Sequence, residues 1–433
     1  MKNKTPREAL KAYVPDLPKK GAAHITRLIM GLMQISRPAK FFYRFDKRAM
    51  KNRPVLILAQ HASVDEPYDV IWGYPFVRPN AIMSMHQILR PGLFRLLMAD
   101  GVILKSLYEP DIAAMRSMLR LRKKNASFVL FPEGVQSIDG TMQPLHPATA
   151  KLVKKLAMDT VLCTSHGAYL SRPHYAGRSR RGRKEYTYEL LFRKEEIQRM
   201  AEEDLYAILL EKFRYNDFLW NEEKQFRYRG KVSCAEGIDS LLFICPRCRR
   251  QFSMRVAGDR LVCECGNAVT IDDRYNLLPE NGSSLPFTRI DEWYRWQQTV
   301  IEEETKREDF RLRYNVTYRM LNLDKLSRER FANVGEGQVE LDRTYFRYTG
   351  KRCGETVDLK FHLARIPSMP LPGFPANEFY YDGVFHMFVP QSDARLAVKL
   401  LLAVEALHNQ IDPVRKRVFD DVHTERNAKE LIL

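Results

Sequence analysis

The sequence predicts an α/β domain, then a small cysteine-bearing segment, then a strand-rich α+β domain. Short apolar runs at residues 55–58 and 127–130 alternate with stretches of helical spacing, which is typical of one layered α/β fold. Four of the seven cysteines lie between residues 245 and 265. Between residues 345 and 389, several short β-prone runs are separated by glycine turns, which favours strands.

The elements of the first domain follow from hydrophobic spacing and helix-end signals. Residues 1–24 are polar and contain prolines, and we expect a loose lead-in there. Residues 24–45 carry apolar side chains at helical spacing, a pattern that fits both a core helix and an interfacial helix on lipid. We further expect strands at residues 80–85, 101–105 and 160–164 and helices at residues 92–98, 111–124 and 151–158.

Composition sets outer bounds on the class of protein. A chain of 433 residues with 45% hydrophobic content is expected to fold into two or three packed domains. The formal net charge of +17 includes basic clusters at residues 120–124 and 178–184. These clusters fit either solvated faces or attraction to an anionic partner. No transmembrane run or secretory signal is recognisable, and clustered cysteines suit a reducing compartment, so we expect a cytoplasmic protein.

Two polar segments at the ends of predicted strands carry the strongest functional signal. His61 follows the first strand and precedes Asp65 and Glu66, and Phe-Pro-Glu-Gly at residues 131–134 follows the second strand. Ligands of open α/β sheets bind at the carboxyl ends of strands. A histidine with nearby carboxylates and a Glu-Gly turn has the groups needed to activate a hydroxyl beside a phosphate.

These segments resemble the glycerolipid acyltransferases, the group of 1-acylglycerol-3-phosphate acyltransferases, whose signature is H-x-x-x-x-D followed by F-P-E-G. The resemblance implies a mixed sheet flanked by helices, in an acyltransferase domain at residues 25–230. Counted from His61, the family's aspartate position is occupied by Glu66, and Asp65 lies one residue earlier. Either carboxylate is therefore a candidate partner for the histidine.

The resemblance also implies a reaction and the roles of the residues. A fatty acyl group would pass from acyl-CoA or acyl-carrier protein to the hydroxyl of a lysophospholipid, first of all 1-acylglycerol-3-phosphate. His61 would act as the general base, as in the histidine–carboxylate half of a hydrolase triad. Lys105 would bind the acceptor phosphate, and Glu133 and Gly134 would form the acceptor-binding turn. Ser63 would support this substrate site by hydrogen bonding within the histidine turn.

The four clustered cysteines resemble a zinc ribbon. Cys245 and Cys248 have the usual two-residue gap, whereas Cys263 and Cys265 are separated by one residue. Four thiolates would leave no open position on Zn²⁺, so the metal would be structural. The alternative is four unliganded cysteines. We assign residues 231–275 to this ribbon-like segment.

The remaining chain is divided into a linker and helix at residues 276–315 and a domain at residues 316–433. Short strands followed by a helix at residues 393–408 resemble, in layout, a pleckstrin-homology or GRAM-like domain. Such domains bind phosphoinositides or proteins, or brace a neighbouring domain.

Three functions fit these observations. The first is an acyltransferase that associates peripherally with anionic membrane lipids and takes its donor from acyl-CoA or acyl-carrier protein. The second is a non-catalytic descendant that binds lipid or protein. The third, nucleic-acid binding, is disfavoured because the aromatic residues are not interleaved with the basic clusters as a stacking surface requires.

Overall fold

The computed structural model describes residues 5–106, 108–109, 111–371 and 375–412 and contains three sheets in chain order. The predicted mixed α/β sheet with helices and the predicted strand-rich C-terminal region are confirmed. Within these described ranges, no helix has both the length and the apolar character needed to cross a lipid bilayer. Residues 1–4 of the expected lead-in and 413–433 of the expected last domain lie outside the described residues.

The first unit alternates helices with the strands of one sheet. Its helices are α1 (Pro6–Lys11), α2 (Lys20–Ser36), α3 (Glu66–Gly73), α4 (Met85–Ile88), α5 (Phe94–Ala99), α6 (Ile112–Arg122), α7 (Ala148–Leu156), α8 (Ala168–Ser171), α9 (Lys194–Arg199), α10 (Glu202–Lys212) and α11 (Asp217–Lys224). Its strands are β1 (Lys40–Arg44), β2 (Val55–Ala59), β3 (Pro79–Ser84), β4 (Ile103–Lys105), β5 (Ser127–Leu130), β6 (Asp159–His166) and β7 (Glu185–Phe192).

These strands form one mixed sheet in the order β1-β7-β6-β2-β5-β3-β4. Neighbours pair in parallel except β6 and β7, which are antiparallel. All five residues of β2 are buried, as expected for a parallel strand that is covered on both faces. Because β2 and β5 are adjacent and parallel, the two polar segments that follow them meet at one edge of the sheet.

The N-terminal segment differs from the expectation of a loose lead-in, which is wrong for residues 5–24. A capping box between Thr5 and Glu8 starts α1. The following stretch is bound to the sheet, since the Tyr13 hydroxyl donates to the Val102 carbonyl at 2.8 Å. Lys124, in the first basic cluster, pairs with Asp16 at 2.7 Å.

The helix expected across residues 24–45 is also wrong in its second half. Helix α2 ends at Ser36, and residues from Lys40 onward form β1, which pairs with β7. Pro38 accounts for the break, because it disfavours helical backbone at the preceding Arg37.

The second unit is small and carries the four cysteines. It contains α12 (Ile238–Leu241), β8 (Met254–Ala257), β9 (Arg260–Cys263), β10 (Ala268–Ile271) and β11 (Leu277–Pro279), with the strands antiparallel in the order β11-β10-β9-β8. Its first cysteine-bearing loop is fixed to the next helix of the chain. The Gln297 side-chain oxygen accepts hydrogen bonds from the N–H groups of Phe243 and Ile244, at 2.9 and 3.0 Å.

The third unit is a six-stranded antiparallel sheet, with one helix before its first strand and one helix after its last strand. It contains α13 (Ile290–Thr305), β12 (Leu312–Leu321), β13 (Phe331–Leu341), β14 (Tyr345–Arg352), β15 (Glu355–His362), a short 3₁₀ turn (Leu363–Arg365), β16 (Asn377–Tyr381), β17 (Val384–Pro390) and α14 (Leu396–Ile411). The strand order is β15-β14-β13-β12-β17-β16. The closing helix expected at residues 393–408 is α14.

Two cations of the second basic cluster lie in the interior of the protein and not on its surface. Arg180 and Lys184, in the second basic cluster, are buried. Arg180 donates to the Ser233 carbonyl at 2.6 Å, and Lys184 pairs with Asp69 at 2.6 Å. These cations stabilise the interior, so they are not available to an anionic partner.

Candidate active site

The two polar segments are joined by the side chain of Glu133. One oxygen of this buried carboxylate accepts a hydrogen bond from the backbone N–H of His61 at 2.9 Å, and the other accepts from the N–H of Gln143 at 2.7 Å. Burial raises the pKa of Glu133 to about 8. Glu133 therefore positions the histidine turn through its backbone.

The imidazole of His61 lies between Glu66 and Phe131. Its Nδ1 atom is 3.8 Å from Oε2 of Glu66, and it is buried with no hydrogen bond to the described residues. Its ring centroid is 4.7 Å from that of Phe131. The side chain is 20% exposed, and burial lowers its pKa to about 4. The ring is therefore a neutral imidazole at neutral pH, which is the form a general base requires.

Glu66 opens helix α3 and is held by several donors. Its carboxylate accepts hydrogen bonds from the Ala62 N–H, the Ser63 N–H at 3.4 Å and the Ser165 hydroxyl. Burial raises its pKa to about 8, against the lowering effect of these hydrogen bonds. The donors orient the carboxylate, so that its position opposite His61 does not depend on a contact with the imidazole.

Asp65 points to a different set of partners. Its carboxylate pairs with Arg37 and, at 3.0 Å, with Arg172. Of the two carboxylates that the sequence left open, the structure brings Glu66 against the imidazole and engages Asp65 with two guanidinium groups. Arg37 and Arg172 were not identified from the sequence, since neither lies in a recognisable motif.

The other predicted site residues differ in their orientation. Ser63 is buried, and its hydroxyl lies 3.5 Å from the Arg172 carbonyl, so it stabilises the turn. Gly134 has a φ of 76° and donates its N–H to the Phe131 carbonyl at 3.0 Å, which closes the turn with a backbone that glycine adopts readily. Lys105 ends β4 and donates to the Ser106 carbonyl at 3.0 Å. Burial lowers its pKa.

A cavity of about 1720 Å³ is lined by several of the predicted site residues. His61, Lys105, Glu133 and Gly134 all line it, and so do residues of the third unit. Pockets for small ligands usually measure about 300–1,000 Å³. This cavity is large enough for a ligand with a long apolar chain in addition to a polar head.

His166, at the end of β6, lies outside the lining of this cavity. Its ring stacks on Trp220 with centroids 5.4 Å apart and an interplanar angle of 9°. Its neighbour Ser165, by contrast, donates to Glu66. No sequence signal distinguished Ser165, because its role depends on the pairing of β6 with β2.

The four cysteines of the second unit converge. All four sulfur atoms lie within 4.8 Å of one another, with Cys245–Cys265 at 3.8 Å and Cys248–Cys263 at 3.7 Å. A tetrahedron with Zn–S bonds of about 2.3 Å has S–S edges of about 3.8 Å. The donor set and its spacing are thus compatible with a structural zinc ion, and the one-residue gap in the second pair does not prevent convergence.

Comparison with known proteins gives a partial likeness in structure. No protein-family model matches the chain, and no curated protein matches it. Among solved structures, the chain is similar to the 1-acyl-sn-glycerophosphate (LPA) acyltransferase PlsC from Thermotoga maritima, with 16% sequence identity and a TM-score of 0.36. That likeness covers 45% of this chain and 81% of the other.

Proposed function

We propose that this protein transfers a fatty acyl group from an acyl thioester to the hydroxyl of a lysophospholipid, with 1-acylglycerol-3-phosphate as the first candidate acceptor. The donor would be acyl-CoA or acyl-carrier protein. The observation that carries the proposal is a neutral His61, backed by the buried Glu66, in the wall of a cavity large enough for a lipid.

In the proposed reaction, Nε2 of His61 removes the proton from the acceptor hydroxyl as its oxygen attacks the thioester carbonyl. The C–O bond forms, the tetrahedral intermediate collapses, and the C–S bond breaks. The departing thiolate takes the proton back from His61. Glu66 stabilises the transient imidazolium from the Nδ1 side, and general-base catalysis of this kind contributes about 10²–10⁴-fold.

Lys105 is proposed to bind the phosphate of the acceptor. It lines the same cavity as His61, and its ammonium group is partly buried. An ammonium group binds phosphate as a point charge, without the bidentate geometry of arginine. Burial strengthens that attraction, because the surrounding dielectric is lower than in water.

The cluster Cys245, Cys248, Cys263 and Cys265 is proposed to hold one structural zinc ion. Such an ion would stabilise the loops that carry it and take no part in acyl transfer. The small sheet would then brace α13, to which it is already hydrogen bonded.

Peripheral association with the cytoplasmic face of a membrane is supported by helix α2. Ile25, Leu28, Leu32 and Ile35 lie on one face of the helix, and each is between 53% and 81% exposed. The other face packs on α3, where Arg27 lies 4.9 Å from the ring of Trp72. An apolar helix face on a protein of net charge +17 suits an anionic lipid surface.

The domain boundaries given above, the pleckstrin-homology or GRAM-like character of the third unit and an interaction with acyl-carrier protein are likewise proposals. Layout supports the likeness of the third unit, because a closing helix follows its antiparallel strands. A bracing role is supported by its contribution to the cavity wall.

The test is an acyl-transfer assay with lysophosphatidic acid and palmitoyl or oleoyl thioesters of CoA and of acyl-carrier protein. His61→Ala is expected to abolish product formation, and His166→Ala, a matched histidine outside the cavity, is expected to retain it. Substantial activity in folded His61→Ala protein would remove His61 from the mechanism. Wild-type protein that is inactive with every donor would refute lysophosphatidic acid as the acceptor.

A further inference from the structure

The third unit forms part of the wall of the cavity that contains His61. Residues of β16 reach it, namely Glu378 and Tyr380, which lie two apart and therefore on one face of the strand. The first unit contributes Arg90 and His86 to the same lining. Both units therefore contact any ligand that fills the cavity.

Glu378 is a buried carboxyl group without a complete set of partners. It is 3% exposed, and its Oε2 atom makes no hydrogen bond to the described residues. Its Oε2 atom lies 3.5 Å from Nδ1 of His86, and Arg330 acts on the carboxyl group by charge without a hydrogen bond to Oε2. Burial and two nearby arginines lower the pKa of His86 to about 3, so the imidazole does not supply a compensating charge. A buried acceptor without a hydrogen bond is costly, and a ligand donor would remove that cost.

Arg90 offers a positive charge in the same cavity. Within the described part of the chain, its hydrogen bonds go to two neutral groups, the Gln87 side-chain oxygen at 2.6 Å and the Tyr68 hydroxyl at 3.4 Å. Arg330 of the third unit lies close enough to repel it, and Arg330 donates to the His86 carbonyl at 3.3 Å. A guanidinium group without a carboxylate partner is a suitable ligand for phosphate.

We propose that the first and third units together form a headgroup subsite, in which Arg90 joins Lys105 in binding the phosphate of the acceptor and Glu378 accepts a hydrogen bond from a hydroxyl or ammonium group on the same headgroup. This rests on the proposed function, because it takes the cavity ligand to be a lysophospholipid. It refines that function, because among lysophospholipids it favours a phosphodiester that carries a hydrogen-bond donor over 1-acylglycerol-3-phosphate.

The test measures equilibrium binding without an acyl donor, so that catalysis is not needed. Wild-type protein is titrated calorimetrically with short-chain lysophosphatidylglycerol, lysophosphatidylethanolamine and lysophosphatidic acid below their micellar concentrations. At least one of the first two is expected to bind about tenfold more tightly than lysophosphatidic acid, which is near the upper end of the net gain from one hydrogen bond.

Variants separate the two halves of the subsite. Glu378→Gln should remove most of the preference for an ammonium headgroup and less of that for a hydroxyl headgroup, since the glutamine oxygen still accepts. Arg90→Gln should lower the binding affinity for all three lipids by about tenfold. Glu405→Gln is the matched control, because Glu405 lines the same cavity but accepts from Ser368 at 2.6 Å. Thermal melting verifies that each variant is folded.

The outcomes distinguish the two proposals. Equal binding of the three lipids, or a preference unchanged in folded Glu378→Gln protein, overturns the headgroup subsite and leaves the acyltransferase proposal in place. Failure of all three lipids to bind overturns both the subsite and the proposed acceptor class.

Discussion

Replacing Glu66 with glutamine keeps the size of the side chain and removes the charge that faces His61. The closest approach in the pair is 3.8 Å. At an effective dielectric constant of about 20, two unit charges at that distance attract by roughly 4 kcal/mol. This attraction develops only as the imidazolium forms, so its loss falls on the transition state. We therefore expect Glu66→Gln to lower kcat/KM by about 10³-fold above about pH 8, where Glu66 is ionised.

Asp65→Asn is the matched control for that experiment. Asp65 pairs with Arg37 and Arg172, so its loss leaves two partly buried guanidinium groups without their carboxylate. We expect a lower Tm but a kcat/KM within about threefold of wild type, because removal of an ion pair away from the reacting atoms acts on stability. The assay is initial-rate acyl transfer in mixed micelles. Comparable losses in the two variants would refute Glu66 as the partner of His61.

The pH profile gives the same experiment a second readout. Burial raises the pKa of Glu66 to about 8 and lowers that of His61 to about 4. Between these values the histidine is neutral while Glu66 gains its charge only as the pH approaches 8. Wild-type kcat/KM should therefore rise through about pH 8 and level off above it. That rise should be absent from Glu66→Gln protein, and its persistence would assign it to another group.

Three further predictions concern other parts of the molecule. Metal analysis should find one zinc per chain, and Cys265→Ser should lower both zinc content and Tm; folded metal-free wild-type protein would contradict this. Replacing Leu28 and Leu32 together with glutamate should abolish binding to anionic vesicles, whereas Ile112→Glu, at an exposed position on α6, should not. Burial raises the pKa of Glu378 to about 8. Its protonated side chain therefore contributes stability that is fully present below about pH 4.5 and is lost as the pH rises through 8. The fall in Tm between pH 6 and pH 9 should therefore be smaller in Glu378→Gln.

Elements with a strong local signal were predictable from the sequence. Strands β2 and β5 are continuous apolar runs, as strands buried on both faces require, and the edge where their polar segments meet follows from the fold class. Helix α6 follows its helix-end signals, since Asp111 caps it by accepting from the Ala114 N–H at 2.8 Å.

The identity of the histidine's partner was beyond the reach of local patterns. Asp65 and Glu66 are adjacent, and the choice depends on Arg37, which lies 28 residues earlier, and Arg172, which lies 107 residues later. Only the folded sheet brings these guanidinium groups to Asp65. The burial of Lys184 has the same origin, because its partner Asp69 is 115 residues away.

The contribution of the third unit to the cavity was equally hidden. Glu378 and Tyr380 read as residues of an ordinary short strand, and their contact with the first unit arises from packing between units. The long strands β12 and β13 were not delimited either. The alternation of polar and apolar residues in β12 indicates a strand, whereas glycines at positions 335 and 337 weaken the signal in β13.

The docking of the N-terminal segment has a consequence for the order of events during synthesis. The N–H of Arg7 donates to the carbonyl of Leu323 at 2.9 Å, and its guanidinium group pairs with Asp324. The partners lie more than 300 residues apart, so helix α1 leaves the ribosome long before the loop that receives it. The first unit can build its sheet as it emerges, because domains generally fold as units during translation. Helix α1 must then wait for the third unit, which makes this junction one of the last parts of the chain to assemble.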